Sequence, residues 1–386
     1  MIVYHQTGFR YNWNIDCYRN KIGDGIIYSP VNIDSDKLLE LDKTIKTTGF
    51  LDPQLYLLNE DKGNLSSYPY FPGNIKPDFE TLDLDKSNVE LAKLCVDFQV
   101  INDFKYLVIP TRHNDENPPS FLEQSKENFV EPFCDYISSL NISKPILLSV
   151  IVKQIMITDS EKRDEILNWI TGHTYIDGVY LIFENNFTTK QINNFEYLLG
   201  VLKFIRILKE NDLEVHVGYT NTEAYIYSIA MPDSIAIGSY ENLRSFGIRR
   251  FQNSEGNVMR SPHARLYSSK LFQWISYQYI EAMRTMIPLY EEYFDDSEFK
   301  PLVFSNEYNW HFNKSEPYKH YFDVFYKQIK ALPENQRDRI DVIKKSIIGA
   351  IELFKEIQNY VLLDENSDGS HLPTWHNVVS AFEKMI

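Results

Sequence analysis

The chain is poor in the residues that build disulfide frameworks, thiolate metal sites and phosphate loops. Its three cysteines are far apart among 386 residues and form no Cys-x-x-Cys pair, which argues against a disulfide frame or a thiolate zinc site. No G-x-G-x-x-G or G-x-x-x-x-G-K-[ST] segment occurs, nor any H-E-x-x-H or H-x-H. We therefore predict no dinucleotide loop, no metal site and no cofactor.

Long apolar runs and positive charge are also scarce. No run reaches 18 uninterrupted apolar residues, and the first residues, MIVYHQTGFR, lack a basic stretch followed by an apolar one. We expect no membrane span and no signal peptide, and a cytoplasmic location. The net charge of −15 disfavours a broad duplex-binding surface. In contrast, 43% hydrophobic and 14% aromatic residues are ample for a packed core.

Short apolar runs alternate with helical patterns over the first two thirds of the chain. The runs cover 2–4, 25–28, 49–51, 106–109, 146–152, 178–183, 215–219 and 234–237. Helical patterns cover 34–46, 88–102, 128–140, 160–171, 188–211 and 222–230. This alternation predicts an α/β fold, a (β/α)₈ TIM-type barrel. The alternative, an open doubly wound sheet, would need the phosphate loop that the sequence lacks.

The pattern changes near residue 270. Segments 271–293, 317–330, 334–362 and 375–386 show helical patterns, and only 301–304 resembles a strand. We predict a barrel over 1–270 and a helical C-terminal region over 271–386. An apolar stripe through Ile340, Ile343 and Ile347 suits packing on the barrel, or alternatively a protein partner bound by the C-terminal helices.

In this fold the catalytic groups lie at the carboxyl ends of the strands. There the stretch TGFLDPQLY ends an apolar run on Asp52. An Asp before Pro commonly opens a turn, but it can also be a catalytic carboxylate, with Gln54 binding substrate beside it. Glu184 is the best partner carboxylate. His113 is a candidate additional base or, with His5 and Asp52, a candidate metal ligand. Paired carboxylates would also suit glycoside hydrolysis.

Other histidines and one basic segment are further candidates. His5 lies at the end of the first run as a base or metal ligand, whereas His371 and His376 are expected at the surface. Arginines cluster after the last run, at Arg244, Arg249, Arg250, Arg260 and Arg265. They form either a solvated loop or an anion site that binds a phosphate or a nucleic-acid backbone, with Asn221 and Glu241 nearby.

The segment LEVHVGYTNTEAYIYSIAMPDSIAIGS (213–239) contains a strand ending in Gly218, a Thr220-x-x-Glu223 helix start and Asp233 before the next strand. It resembles the corresponding passage of tRNA-guanine transglycosylases and their relatives that act on DNA. Thr220 and Glu223 also fit a capping box. The family's nucleophilic aspartate would fall near Ala236, and its cysteine-rich zinc site has no counterpart.

The resemblance implies a transglycosylase-like barrel of a bacterial nucleic-acid-processing or antiviral defence system. Two activities fit that expectation. One is a transferase or hydrolase directed at a nucleobase or sugar, and the other is a binding subunit that has lost catalysis. The polar strand ends favour the first, whereas Ala236 favours the second. A glycoside hydrolase with paired carboxylates is the alternative outside this family.

Overall fold

The computed structural model describes residues 1–115, 118–253 and 262–386. Eight strands form one parallel sheet: β1 (Ile2–Gln6), β2 (Gly25–Tyr28), β3 (Phe50–Leu51), β4 (Leu107–Ile109), β5 (Ile146–Lys153), β6 (Gly178–Glu184), β7 (Glu214–Thr220) and β8 (Ser234–Gly238). Their order is β3-β2-β1-β8-β7-β6-β5-β4. Every predicted apolar run therefore contributes a strand.

The sheet is nearly closed. β1 pairs with both β2 and β8, so the first and last strands of the barrel are neighbours. The remaining seam lies between β3 and β4, where the Lys105 N–H donates to the Gly49 carbonyl oxygen at 2.9 Å. The structure confirms the predicted (β/α)₈ barrel.

Helices connect the strands and extend past them. They are α1 (Tyr11–Arg19), α2 (Ser35–Glu40), α3 (Lys43–Lys46), α4 (Pro72–Ile75), α5 (Leu84–Ile101), α6 (Phe121–Ser125), α7 (Glu131–Ser139), α8 (Gln154–Thr158), α9 (Ser160–Thr171), α10 (Phe195–Glu210), α11 (Ala224–Tyr227), α12 (Tyr277–Met286), α13 (Lys300–Val303), α14 (Glu316–Lys330), α15 (Gln336–Gln358) and α16 (Leu372–Glu383). Side-chain caps set several starts. Asn194, for example, accepts from the Tyr197 N–H before α10 at 2.9 Å.

Bulky side chains fill the interior of the barrel. Tyr4, Phe50 and Tyr180 are fully or almost fully buried, and the Phe50 ring lies edge-on to both tyrosines, with centroids 5.3 Å apart in each pair. Ala236 of β8 belongs to the same interior cluster and has no exposed surface. The lumen is therefore a packed core, as is usual for this fold.

The C-terminal helices pack on the outside of the barrel. Phe322 of α14 lies edge-on to His5 of β1, with ring centroids 4.7 Å apart. The Trp375 indole N–H of α16 donates to the Ile192 carbonyl oxygen at 2.8 Å. Ile340 and Ile343 of the predicted stripe are buried. No helix among the described residues is both long and apolar enough to cross a membrane.

Three sequence expectations for the C-terminal region were wrong. The segment 271–293 is not one helix, because an antiparallel hairpin of β9 (Arg265–Ser268) and β10 (Gln273–Ser276) crosses residue 270 before α12 begins. The strand expected at 301–304 is largely helix α13. His371 is 1% exposed because its ring packs against Trp375.

Candidate functional site

Asp52 directly follows β3 and has no exposed surface. The Tyr56 hydroxyl donates to Oδ1 at 2.7 Å, and the Tyr219 hydroxyl donates to Oδ2 at 3.1 Å. The Gln54 backbone N–H also donates to Oδ1, at 3.3 Å. Asp52 thus serves its own turn and a buried polar network at the same time, and both of its carboxylate oxygens are occupied.

The network crosses the lumen, because β3 and β7 lie on opposite sides of the barrel. The Gln54 side-chain amide donates to the Tyr219 hydroxyl at 3.0 Å. Gln54 and Tyr219 both have left-handed backbones, with φ of 55° and 54°, a conformation that is strained for residues with a side chain. The register of β7 also shifts between Val217 and Thr220. We call Asp52, Gln54, Tyr56 and Tyr219 the axial cluster.

Aromatic side chains from the loop after β8 cover the axial cluster. The Phe246 and Phe251 rings lie 5.2 and 4.8 Å from the Tyr56 ring, and Phe246 also lies 5.4 Å from the Tyr219 ring. Burial raises the pKa of Asp52 to about 6, although the hydrogen bonds from Tyr56 and Tyr219 oppose this shift. The axial cluster is thus a buried, hydrogen-bonded acid under packed aromatic rings.

Glu184 pairs with His113 instead of Asp52. The His113 Nε2 atom lies 3.0 Å from both Glu184 carboxylate oxygens. Among the described residues no hydrogen bond joins Asp52 to Glu184, and Phe246 packs between the axial cluster and the His113 ring. The structure therefore brings together two of the three predicted catalytic residues, on a separate groove of about 480 Å³.

A more enclosed cavity of about 210 Å³ lies at the carboxyl ends of β6, β7 and β8. The β9–β10 hairpin contributes to its wall through Arg265 and Trp274. We call this cavity the side pocket. Its charged lining residues are Lys190, Glu223, Glu241, Arg244 and Arg265, and its other polar and aromatic lining includes Asn185, Tyr197, Thr220, Asn221, Tyr227 and Trp274.

Glu223 is the most deeply buried carboxyl group of the side pocket, at 4% exposure. Its Oε1 atom accepts from the Asn221 N–H at 2.9 Å, but Oε2 has no hydrogen-bond partner among the described residues. Burial raises the pKa of Glu223 to about 7, against the opposing effects of the backbone hydrogen bonds and the Arg244 charge. The predicted capping box does not form, because the Thr220 hydroxyl donates to the Ala236 carbonyl oxygen instead.

Glu241 lines the same pocket, but the pKa of its carboxyl group is shifted in the direction opposite to that of Glu223. Burial disfavours its ionised form, but the charges of Arg244 and Lys190 outweigh that effect and lower its pKa. Its Oε2 atom is paired with the Lys190 ammonium group. The side pocket thus holds one carboxyl group, Glu223, that is still partly protonated at neutral pH and a second, Glu241, that is ionised.

Arg244 is 5% exposed and rigidly placed. Its guanidinium carbon lies 3.8 Å from the centre of the Trp274 ring, and one of its terminal N–H groups donates to the Ser239 carbonyl oxygen at 3.1 Å. Its Nε atom has no partner among the described residues. Arg265 is anchored by a hydrogen bond to the Asn366 carbonyl oxygen at 2.6 Å.

The predicted substrate-binding residues divide between three places. Asn221, Glu241, Arg244 and Arg265 meet in the side pocket, whereas Gln54 belongs to the axial cluster. Arg249 is exposed and lies outside the pocket lining. Arg250 donates to the Asn242 carbonyl oxygen at 3.1 Å and lies over Tyr219. Arg260 falls outside the described residues.

His5 does not face the barrel mouth. Its Nε2 atom lies 2.7 Å from the Ile22 carbonyl oxygen, and burial lowers its pKa to about 4. It is a packing residue of the outer layer. In the described ranges, no group of three or more His, Cys, Asp or Glu side chains is arranged to hold a metal ion.

Sequence reasoning missed Lys190 and Trp274 as pocket residues and interpreted Glu223 only as a helix cap. Lys190 lies in a polar segment without a motif, and Trp274 lies in a strand of a hairpin that was predicted as helix. Neither residue carries a local signal for its position.

Comparisons of the chain with protein-family models, curated proteins and solved structures found no match.

Proposed function

We propose that this protein is an enzyme that cleaves or transfers at a glycosidic bond of a sugar or nucleoside bound in the side pocket. The observation that carries this proposal is the pair Glu223 and Glu241. They line one enclosed cavity, and their surroundings move their pKa values in opposite directions. Such a division between two carboxyl groups is the usual mark of an acid and its ionised partner.

Glu223 is the general acid. The group that leaves the anomeric carbon needs a proton as the bond breaks, and a carboxyl group with a pKa of about 7 still holds its proton in a large fraction of molecules at neutral pH. Because the Glu223 Oε2 atom has no protein partner among the described residues, a bound substrate meets no competitor for that proton.

Glu241 is the ionised partner. Lys190 and Arg244 keep it charged, so it can stabilise positive charge at the anomeric carbon, attack that carbon or activate water. Its side chain is 44% exposed, which leaves water a route to the reacting centre. Hydrolysis and transfer to another acceptor both fit this arrangement.

Sugar release from a panel of methyl glycosides, whose leaving group needs a proton, and base release from nucleosides test the proposal. The wild-type protein should turn over at least one substrate, with kcat/KM falling as the pH rises through about 7. Glu223→Gln should lower kcat by at least ~100-fold. Glu210→Gln, an exposed change on α10, should leave kcat unaltered. Full activity of Glu223→Gln would refute the assignment.

A binding subunit without catalysis is the second candidate. Ala236 lies buried in the barrel interior, near the position where the resemblance to transglycosylases would put their nucleophile, and aromatic rings cover the axis. Binding of a sugar or nucleoside in the side pocket without any turnover would favour this candidate. In that case a partner protein of a nucleic-acid-processing or defence system would supply the chemistry.

A further inference from the structure

We infer that the ligand of the side pocket carries a phosphate group, held by Arg244 and Arg265. This inference deepens the proposed function, since the glycoside or nucleoside would then be a sugar phosphate or a nucleotide. Lys190 is paired with Glu241, but no carboxylate of the described residues lies within the 4.0 Å ion-pair limit of Arg244 or Arg265.

An arginine buried without a counter-charge is unfavourable. Arg244 is almost fully buried, and Glu223 and Glu241 act on it only from beyond ion-pair distance. Glu223, whose pKa is raised to about 7 by burial, is only partly ionised at neutral pH and therefore offers Arg244 only part of a negative charge. In a chain of net charge −15, a cavity lined by three cationic side chains, Lys190, Arg244 and Arg265, against the one ionised carboxylate of Glu241 is suited to an anion.

The hydrogen-bond donors are also in place. The Arg244 Nε–H and the Trp274 indole N–H are both buried and have no acceptor in the described parts of the chain. Stacking of the Arg244 guanidinium on the Trp274 ring fixes the plane of its donors. A planar guanidinium held in this way matches the oxygens of a phosphate group.

The position and size of the cavity agree with a small phosphorylated ligand. Phosphate groups are frequently bound beside the seventh and eighth strands of this fold, and the side pocket lies at the ends of β6, β7 and β8. Its volume of about 210 Å³ suits one small molecule. Arg249 lies outside the pocket, so among the described arginines only Arg244 and Arg265 line the cavity.

Calorimetric titration of the full chain with ribose, ribose 5-phosphate, inorganic phosphate and glucuronate tests the inference. Ribose 5-phosphate should bind at least ~10-fold more tightly than ribose, because charged hydrogen bonds to the phosphate are added. Inorganic phosphate should compete with it. Equal affinity for ribose and ribose 5-phosphate, or tighter binding of glucuronate, would overturn the phosphate assignment.

Arginine variants test whether the phosphate group binds in the side pocket. Arg244→Gln and Arg265→Gln should each weaken ribose 5-phosphate binding by at least ~10-fold, whereas Arg244→Lys should lose less because it retains the charge. Arg249→Gln removes the same charge from the same segment outside the pocket and should change affinity by less than ~2-fold. Circular dichroism checks folding, and if Arg244→Gln fails to fold, Arg265→Gln carries the test. An equal loss in Arg249→Gln would overturn the site.

The two proposals fail separately. Glu223→Gln should keep ribose 5-phosphate binding while it loses turnover. Turnover of uncharged glycosides without any preference for phosphate would remove the phosphate inference and leave the glycosidic function standing. Phosphate-dependent binding without turnover of any glycoside or nucleoside would remove the glycosidic function and leave the phosphate inference standing.

Discussion

The axial cluster and the side pocket each bury a carboxyl group with a raised pKa at the carboxyl end of the same barrel, yet they differ in hydrogen bonding. Both Asp52 oxygens accept from hydroxyl or amide groups. Glu223 has one oxygen bonded and the other without a partner among the described residues. A polar group that is fully satisfied contributes to structure, and an unsatisfied one in a cavity is available to a ligand.

The surroundings of the axial cluster and of the side pocket also differ. Phe246 and Phe251 cover the axial cluster, whereas the side pocket keeps open volume and contains Arg244 with an unbonded Nε atom. The comparison indicates that a raised pKa alone does not mark an active site. Access and unused hydrogen-bonding capacity decide between a structural acid and a catalytic one.

The largest expected effect is the loss of stability that follows removal of an aromatic ring packed over the axial cluster. Phe246→Ala should lower the free energy of unfolding by about 3–5 kcal/mol, because it removes a buried ring that packs on Tyr56 and Tyr219. Phe9→Ala, at a residue that is 73% exposed, should change it by less than about 0.5 kcal/mol. Urea denaturation measures both. Equal stability of the two variants would mean that the axis is open.

Removal of the axial acid should have the next largest effect. Asp52→Ala leaves the Tyr56 and Tyr219 hydroxyls without their acceptor, at a cost of about 2 kcal/mol in unfolding free energy at about pH 4, where the folded-state carboxyl group is protonated. Asp341→Ala, at an exposed position of α15, should have almost no effect. If Asp52→Ala is as stable as the wild type but loses turnover, Asp52 belongs to the active site and the comparison fails.

The pH dependence of stability separates the two acids. Asp52 titrates near 3.8 when unfolded and about 6 when folded, so its contribution is complete below 3.8 and is lost as the pH rises through 6. The stability contribution of Glu223 is likewise complete below pH 4.5 and is lost as the pH rises through about 7. Each contributes a slope of at most about 1.4 kcal/mol per pH unit.

Urea unfolding from pH 4 to pH 8 measures these slopes. Asp52→Asn should reduce the loss of unfolding free energy that occurs as the pH rises to about 6. Glu223→Gln should reduce the loss that continues to about pH 7. Surface variants such as Asp341→Asn should retain the wild-type curve. An unchanged curve for Asp52→Asn would show that Asp52 is not the buried acid described here.

The smallest expected effect is that of Glu223→Gln on stability near pH 4. At about that pH a neutral amide replaces a carboxyl group that is protonated in the folded protein and has one oxygen unbonded, so the free energy of unfolding should change by less than about 1 kcal/mol. A loss of several kcal/mol would make Glu223 a structural residue like Asp52.

The fold could be predicted from the sequence because its signal is local and repeated. Each strand is an apolar run buried on both faces, as in 146–152, and α9 matches its predicted bounds, with Asp159 as its cap. The β9–β10 hairpin was missed because the pattern around Leu271 and Phe272 also suits a helix. Burial of His371 depends on α16 packing, which no local pattern reports.

The site was predictable only in part. The rule that chemistry lies at the carboxyl ends of the strands found Asn221, Glu241 and Arg244 together. The rule could not predict which other side chains line the same pocket, because the positions of Glu223 and Trp274 depend on packing between segments that are far apart in the sequence. Asp52 and Glu184 were paired in the prediction by residue type alone. The structure instead assigns Tyr56 to Asp52 and His113 to Glu184.

A crystal structure of the protein soaked with ribose 5-phosphate tests directly whether the ligand binds in the side pocket or on the barrel axis. We predict ligand density between Glu223 and Arg244, with the phosphate group against Arg244 and Arg265 and the axial cluster unchanged around Asp52. Density beside Asp52, with Phe246 displaced and the side pocket empty, would contradict the account.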